Sequence, residues 1–155
     1  MPVKVRLLAI GKDRSGLYAP AVAEYTDRLR HYLNFELVEL PEAKRHAGTE
    51  TARVEEGTTL LARLRPGEQV VALDERGREY TSLELARRVK GWLGAGRDVA
   101  LVMGGPQGLA PEVLARAEET LALSRLTLAH RLARLVLVEQ LYRSMTILRG
   151  EPYHK

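Results

Sequence analysis

The apolar residues of this chain follow two spacings that alternate from one end of the sequence to the other. Continuous or every-second apolar positions, typical of β-strands, occur at residues 3–10, 35–40, 70–73, 99–103 and, as a short last strand, 126–128. Apolar positions at helical spacing occur at residues 17–33, 51–64, 81–93 and 131–148. This alternation predicts an α/β fold with a largely parallel sheet that helices cover on both faces.

Local signals mark the ends of several predicted elements. Thr81 and Glu84 have the spacing of a capping box at the start of a helix, and Pro111 suits the first position of another helix. No linker or break in composition divides the chain, so we predict a single domain over residues 1–155. Residues 42–48, where basic residues and glycine replace the apolar pattern, are predicted to form a mobile loop.

The composition restricts the class of protein. The chain has no cysteine and four scattered histidines, which excludes disulfides and thiolate metal sites, and we predict no bound metal ion. The first residues lack the apolar run of a signal peptide, and charged residues interrupt every candidate membrane span. We therefore expect a soluble, cytoplasmic protein that folds without disulfide or metal crosslinks.

The positive charge of the chain is concentrated at its C-terminal end. The net charge is +4, and residues 125–155 contain six basic and two acidic residues, while basic and acidic residues balance over residues 1–124. A local positive field favours an anionic partner near this end of the molecule. The alternative is that these arginines cover the solvated side of a helix.

A glycine-rich loop follows the predicted strand at residues 99–103. Gly104, Gly105 and Gly108 would let the backbone approach a ligand closely at the carboxyl end of a parallel sheet, and the next helix would supply amide donors. The spacing matches neither the dinucleotide-binding fingerprint nor a phosphate-binding loop. An ordinary strand-to-helix turn is the alternative.

The helix predicted at residues 131–148 is apolar around most of its circumference. A chain of this length rarely covers a terminal helix on all sides, so we predict that the helix forms a homodimer interface. Burial within one compact subunit is the alternative. Glu139 and Arg143 stand four residues apart on this helix, where an exposed ion pair contributes only about 0.3–0.5 kcal/mol.

Four segments of the chain resemble a known family when they are taken together and in order. They are GGPQGL at residues 104–109, LSRLTLAH at 123–130, EQLYR at 139–143 and PYHK at 152–155. With the N-terminal strand and the chain length, these segments resemble the RlmH family of ribosomal RNA methyltransferases over essentially the whole sequence.

The resemblance implies a SPOUT-type fold, a parallel sheet flanked by helices with a C-terminal trefoil knot. It also implies a homodimer that binds S-adenosyl-L-methionine in the knot loops. The implied reaction transfers the methyl group to N3 of a pseudouridine in 23S rRNA on the assembled ribosome. The knot is implied by the family alone, because chain threading is almost absent from proteins in general.

The resemblance also implies which residues form the cofactor pocket, with main-chain groups holding the adenine and apolar side chains as walls. These residues are Leu73, Gly104, Gly105, Leu123, Ser124, Arg125, Leu126, Thr127 and Leu128. The family commonly has proline where this chain has Ala129, so the bend into the last helix is expected to be less rigid.

The predicted catalytic residues are His154, Tyr153 and Arg143. N3 of a pseudouridine carries a proton and becomes a nucleophile as that proton leaves, which needs either a base or a cation that stabilises the anion. His154 is the candidate base, Tyr153 would stack on or hydrogen-bond the substrate base, and Arg143 would stabilise the anion or hold a phosphate. A frayed, solvated tail is the alternative for Tyr153 and His154, and a helix cap is the role predicted for His130.

Two other functions fit the same sequence. A SPOUT methyltransferase that acts on tRNA would share the fold and the cofactor. A non-catalytic ribosome-binding protein would use the basic C-terminal end for salt-dependent RNA binding and would bind no cofactor.

Overall fold

The computed structural model describes residues 2–44 and 49–155. In chain order its elements are β1 (Lys4–Ile10), α1 (Ala19–Leu29), β2 (Asn34–Leu40), α2 (Glu50–Arg63), β3 (Gln69–Glu79), α3 (Ser82–Gly94), β4 (Val99–Met103), α4 (Pro111–Arg116), β5 (Glu119–Ala122) and α5 (His130–Leu148). The predicted loop at residues 42–48 lies partly outside the described residues, since residues 45–48 are not among them. No helix within the described ranges is long and apolar enough to span a membrane.

In the described part of the chain the strands form one five-stranded sheet in the order β2-β1-β4-β3-β5. Every neighbouring pair is parallel, which confirms the predicted parallel sheet. All the strands therefore end at the same edge of the sheet, where α/β proteins bind their ligands.

Helices cover both faces of the sheet, as the sequence predicts. Along β1, Leu7 contributes to the core cluster on one face, whereas Leu8 contributes to the cluster on the other. Helices α1 and α3 pack against α5, and α2 packs against α4. Because the central strands are buried on both faces, their sequences are continuously apolar rather than alternating.

Two signals at the ends of elements are confirmed. The Thr81 hydroxyl accepts a hydrogen bond from the Glu84 amide at 3.1 Å, and the Glu84 carboxylate accepts one from the Thr81 amide at 2.8 Å. Pro111 is the first residue of α4, where its missing N–H group costs no helical hydrogen bond.

The last strand lies elsewhere than the sequence predicts. Residues 126–128 are not a strand, and the fifth strand is β5, which pairs with β3. Strand β3 is also longer than the predicted residues 70–73, because it continues through a charged segment to Glu79. Both differences lie beside the carboxyl edge of the sheet, where a cavity is found.

Candidate functional site

A cavity of about 660 Å³, called here the large cavity, lies at the carboxyl ends of β3, β4 and β5. Eight of the nine predicted cofactor residues line it, namely Leu73, Gly104, Gly105, Leu123, Ser124, Leu126, Thr127 and Leu128. The ninth, Arg125, is not among the lining residues. Its side chain is 88% exposed and lies 4.0 Å from Glu79.

The glycine loop forms one wall of the large cavity with its backbone. The amide of Gly108 donates to the carbonyl of Gly105 at 3.0 Å, and Gly108 has a φ of 76°, which favours glycine. A side chain at position 104 would collide with the carbonyl group of Gly108. In this part of the chain the residues that line the cavity end at Leu109, so the backbone of the glycine loop faces the cavity. The amino end of α4, which the sequence predicts to supply amide donors, does not line it.

Residues 74–76 form a second wall because of an irregularity in the β3–β5 ladder. Leu121 pairs with both Leu73 and Arg78, so the residues between these two partners leave the ladder. Gly77 closes this excursion, since a Cβ atom there would lie 2.7 Å from the carbonyl carbon of Thr120. Asp74, Glu75 and Arg76 are thereby brought to the cavity.

Residues 123–129, apart from Arg125, form a third wall, and local hydrogen bonds explain why this segment is not a strand. The Ser124 hydroxyl accepts a hydrogen bond from the Leu126 amide at 2.9 Å. The Thr127 hydroxyl donates to the Glu75 carboxylate, which joins this wall to the 74–77 excursion. Leu126 is 75% exposed at the rim of the cavity, so its apolar character does not indicate burial.

Two buried nitrogen atoms in side chains that line the large cavity have no hydrogen-bond partner among the described residues. They are Nε of Arg53, on α2, and Nε2 of His130. Burial lowers the pKa of His130, and the nearby Arg131 lowers it further, so the imidazole is neutral at pH 7. The predicted helix-capping role of His130 is wrong, because Ala129 occupies the cap position and no side chain caps α5.

The three predicted catalytic residues, Arg143, Tyr153 and His154, lie together, and the first two contact Glu139. We call these four residues the tail cluster. Arg143 donates to Nδ1 of His154 at 3.0 Å and forms an ion pair with Glu139 at 3.2 Å. The Tyr153 hydroxyl donates to Glu139 at 3.1 Å, and the Arg143 guanidinium lies 4.7 Å from the centre of the Tyr153 ring. Glu139 therefore orients both Arg143 and Tyr153, a role that its i, i+4 spacing to Arg143 alone did not indicate.

The hydrogen bonds of the tail cluster fix protonation states. Since a guanidinium can only donate, Nδ1 of His154 is the acceptor, and the neutral imidazole carries its proton on Nε2. Burial raises the pKa of Tyr153, and the neighbouring Tyr25 hydroxyl and the charge of Glu139 raise it further. Tyr153 is therefore a neutral hydrogen-bond donor at physiological pH.

The C-terminal tail packs against the protein and is not frayed. The Tyr153 ring lies 4.7 Å from the Tyr142 ring in an edge-on arrangement, and Tyr142 also contacts the ring of Tyr25. The Tyr32 hydroxyl donates to Glu151 at 2.5 Å. These contacts exclude the alternative in which Tyr153 and His154 belong to a frayed, solvated tail.

The tail cluster and the large cavity lie at opposite ends of the sheet within one chain. Ala129 and His130, at the start of α5, line the cavity, whereas the tail contacts Tyr32, which comes just before β2 begins. His130 and Arg143 are separated along α5 by roughly 20 Å at the usual helical rise of about 1.5 Å per residue. One copy of the chain therefore does not bring the predicted catalytic residues to its own cavity.

Comparisons with known proteins agree with this architecture. The family model described as "Predicted SPOUT methyltransferase" matches residues 3–154. The "Ribosomal RNA large subunit methyltransferase H" of Anaeromyxobacter sp. (strain K) is 69% identical over 153 residues, which are 99% of this chain and 100% of that relative.

Solved structures show the same fold at low sequence identity. A probable methylase family protein from Haemophilus influenzae Rd KW20 has a TM-score of 0.57 and 15% identity, with 100% of this chain and 72% of that chain covered. A putative methyltransferase from Legionella pneumophila, solved with bound cofactor SAM, has a TM-score of 0.50 and 11% identity, with 90% and 66% covered. At these identities the two structures support the fold alone.

Proposed function

The chain belongs to the SPOUT methyltransferase family, and we propose that it transfers a methyl group from S-adenosyl-L-methionine to N3 of a pseudouridine in 23S rRNA on the assembled ribosome. The observation that carries the proposal is the convergence of eight predicted cofactor residues on one cavity. The relative at 69% identity, whose name is that of a large-subunit rRNA methyltransferase, supports the rRNA substrate. Since the proposed substrate is part of the ribosome, we propose that the protein acts in the cytoplasm.

The large cavity fits the proposed cofactor. Its volume of about 660 Å³ lies within the range of small-molecule sites. Leu73, Leu123 and Leu128 offer apolar walls, and the glycine loop offers backbone groups at close range. The unpartnered nitrogen atoms of Arg53 and His130 are polar groups that a ligand with a carboxylate and ring nitrogens could satisfy. When bound, the cofactor supplies a methyl group on a positively charged sulfur, which makes that methyl group electrophilic.

The tail cluster is suited to stabilising the substrate anion. N3 of the base would lose its proton as its bond to the methyl carbon forms, while the bond from that carbon to the cofactor sulfur breaks and leaves its electron pair on sulfur. Arg143 and the Nε2–H group of His154 are donors for the negative charge that develops on the base, whereas the Tyr153 hydroxyl already donates to Glu139 and leaves the Tyr153 ring to stack on the base. Since Nδ1 of His154 is already occupied by Arg143, we propose that the N3 proton passes to water and that His154 donates a hydrogen bond rather than acting as the base.

A second copy of the chain would bring the tail cluster to the cavity. Helix α5 buries only part of its apolar surface within one chain, and Leu132, Leu135 and Val136 stay partly exposed on it. We propose that these residues form a homodimer interface, in which the tail cluster of one subunit faces the cavity of the other. An enzyme of this size has little surface for reading RNA, so we propose that it recognises the shape of the ribosomal surface.

Methyl transfer to ribosomes tests the proposed function. The purified protein is incubated with S-adenosyl-L-methionine and either unmodified ribosomes, naked rRNA or tRNA, and the methylated nucleotides are mapped by mass spectrometry. We expect methylation of one pseudouridine of 23S rRNA, with assembled ribosomes a far better substrate than naked RNA.

Three outcomes would contradict parts of this proposal. Methylation confined to tRNA would assign the chain to a different SPOUT activity. Equal rates on naked rRNA and on ribosomes would exclude recognition of the assembled surface. Salt-dependent RNA binding without cofactor binding by calorimetry would indicate the non-catalytic alternative.

A further inference from the structure

Asp74 is an acidic residue of the large cavity to which the sequence assigned no function. It comes directly after the buried part of β3, at the carboxyl edge of the sheet, and its side chain is only 9% exposed. The hydrogen bond from Arg76 lowers the pKa of Asp74, so this side chain is an ionised acceptor at neutral pH.

Both oxygens of Asp74 accept hydrogen bonds from the same partner. Nε and one terminal nitrogen of Arg76 donate to Oδ1 and Oδ2 at 2.9 and 3.0 Å, and the Arg76 amide donates to Oδ1 at 2.9 Å. The carboxylate thus presents two acceptors, side by side, to a pair of parallel donors. The two hydroxyl groups of a ribose are another pair of neighbouring donors, and acidic residues at strand ends bind them in other nucleotide sites.

The two side chains of the Asp74–Arg76 ion pair differ in exposure, and this difference allows another donor to replace Arg76. The Arg76 side chain is 69% exposed, so it can leave Asp74 for solvent without becoming a buried unpaired charge. The Asp74 side chain is largely buried, and it needs another partner when Arg76 leaves. Glu75, the neighbouring acidic residue of the cavity, already accepts a hydrogen bond from Thr127, within the wall formed by residues 123–129.

We propose that Asp74 binds the two ribose hydroxyl groups of the nucleoside in the large cavity, and that Arg76 leaves the carboxylate as they bind. This inference rests on the proposed function, since it takes S-adenosyl-L-methionine as the ligand. Asp74 is then a cofactor-binding residue beside Leu73, and Arg76 competes with the cofactor for it.

Calorimetry with S-adenosylhomocysteine tests the role of Asp74 without any catalytic turnover. Asp74→Asn keeps the shape and one acceptor oxygen, and we expect it to weaken binding by roughly 10- to 100-fold. Arg76→Gln is the matched control, for which we expect unchanged or tighter binding because the competing donor is removed. If the ion pair only held the loop together, both substitutions would weaken binding to a similar extent, and this result would overturn the inference.

Ligand analogues identify the group that Asp74 contacts. S-adenosylhomocysteine without its 2′ and 3′ hydroxyl groups should bind the wild-type chain weakly, and Asp74→Asn should weaken its binding no further. Methylthioadenosine keeps the ribose and lacks the amino-acid part, so its binding should retain the full penalty of Asp74→Asn. Loss of that penalty would show that Asp74 binds the ammonium group instead and would overturn the inference.

Measurements on the wild-type chain separate the two proposals. Failure of the wild-type chain to bind S-adenosylhomocysteine would contradict the proposed function itself. If the wild-type chain binds S-adenosylhomocysteine and its analogue without ribose hydroxyls with equal affinity, only the role of Asp74 is contradicted. This comparison uses the wild-type chain alone, so it does not depend on the folding of a variant.

Discussion

At the scale of single residues, Glu119 shows how a half-buried carboxylate stabilises the edge of the sheet. It lies on the edge strand β5 and accepts hydrogen bonds from the Tyr80 hydroxyl at 3.0 Å and from Nε1 of Trp92 at 3.1 Å. Arg88 forms an ion pair with it at 2.7 Å. Burial alone would raise the pKa of Glu119, but the hydrogen bonds from Arg88, Trp92 and Tyr80 outweigh burial and lower it.

We expect Glu119→Gln to destabilise the protein by about 1–3 kcal/mol at pH 7. Because the lowered pKa means that the unfolded chain binds more protons, the stabilisation by Glu119 is present at neutral pH and is lost as the pH falls through the acidic range. The difference between wild type and variant, measured by urea unfolding, should therefore stay constant from pH 7 to about pH 5 and shrink as the pH falls below about 4.5.

The neighbouring Glu118 offers a matched control for that measurement. It pairs with Arg97, but both side chains are largely exposed. Glu118→Gln should therefore cost below about 1 kcal/mol. Equal losses for the two variants, or a Glu119→Gln deficit that grows at acidic pH, would contradict the role given to Glu119.

At the scale of elements, successive parts of α5 and the tail contact different regions of the molecule. The first turn of α5 lines the large cavity, its middle packs against α1 and α3, and the last residues form the tail cluster with Glu139 and Arg143. Removal of the last three residues therefore separates the chemistry proposed for the tail from cofactor binding.

We expect the chain truncated after Pro152 to fold and to bind S-adenosylhomocysteine with near-normal affinity. Methyl transfer should fall by at least about 100-fold, because the truncation removes Tyr153 and His154 and leaves Arg143 without its tail contacts. Binding is measured by calorimetry and transfer with radiolabelled cofactor. Deletion of the exposed Lys155 alone is the control, and substantial activity in the truncated chain would exclude a chemical role for the tail.

At the scale of the whole molecule, the large cavity and the tail cluster lie at opposite ends of the sheet, and we propose that two chains build one complete site. The proposed symmetric dimer has two equivalent sites, each with the cavity of one subunit and the tail of the other. A variant with a blocked cavity and a variant with an inactive tail would then complement each other.

We expect mixed dimers of Leu128→Trp and His154→Ala to recover activity that neither variant has alone. Random exchange makes about half of the dimers mixed, each with one intact site of two, so roughly one quarter of wild-type activity should return. Sedimentation of the mixture verifies that the chains exchange. No recovery in exchanged dimers would show that each site is built within one subunit.

The sequence by itself determined most of the elements and their order. The capping box at Thr81 and the proline at position 111 acted locally, through hydrogen bonds and backbone angles that neighbouring residues control. Apolar runs located the buried strands, because strands covered on both faces have few polar positions. The four-residue strand β5 escaped this reasoning, since Glu119 and Thr120 give it no continuous apolar run.

The resemblance of the four segments to a known family also identified residues of the site, but only the tertiary structure decided how these residues are arranged. The departure of residues 74–77 from the β3–β5 ladder brings Asp74 to the cavity, and it depends on the register between two strands distant in sequence. Glu139 contacts Arg143 through their i, i+4 spacing on α5, but it contacts Tyr153 only because the tail folds back onto this helix. Local sequence patterns control the local backbone and burial, whereas the distance between cavity and tail depends on how all the elements pack together.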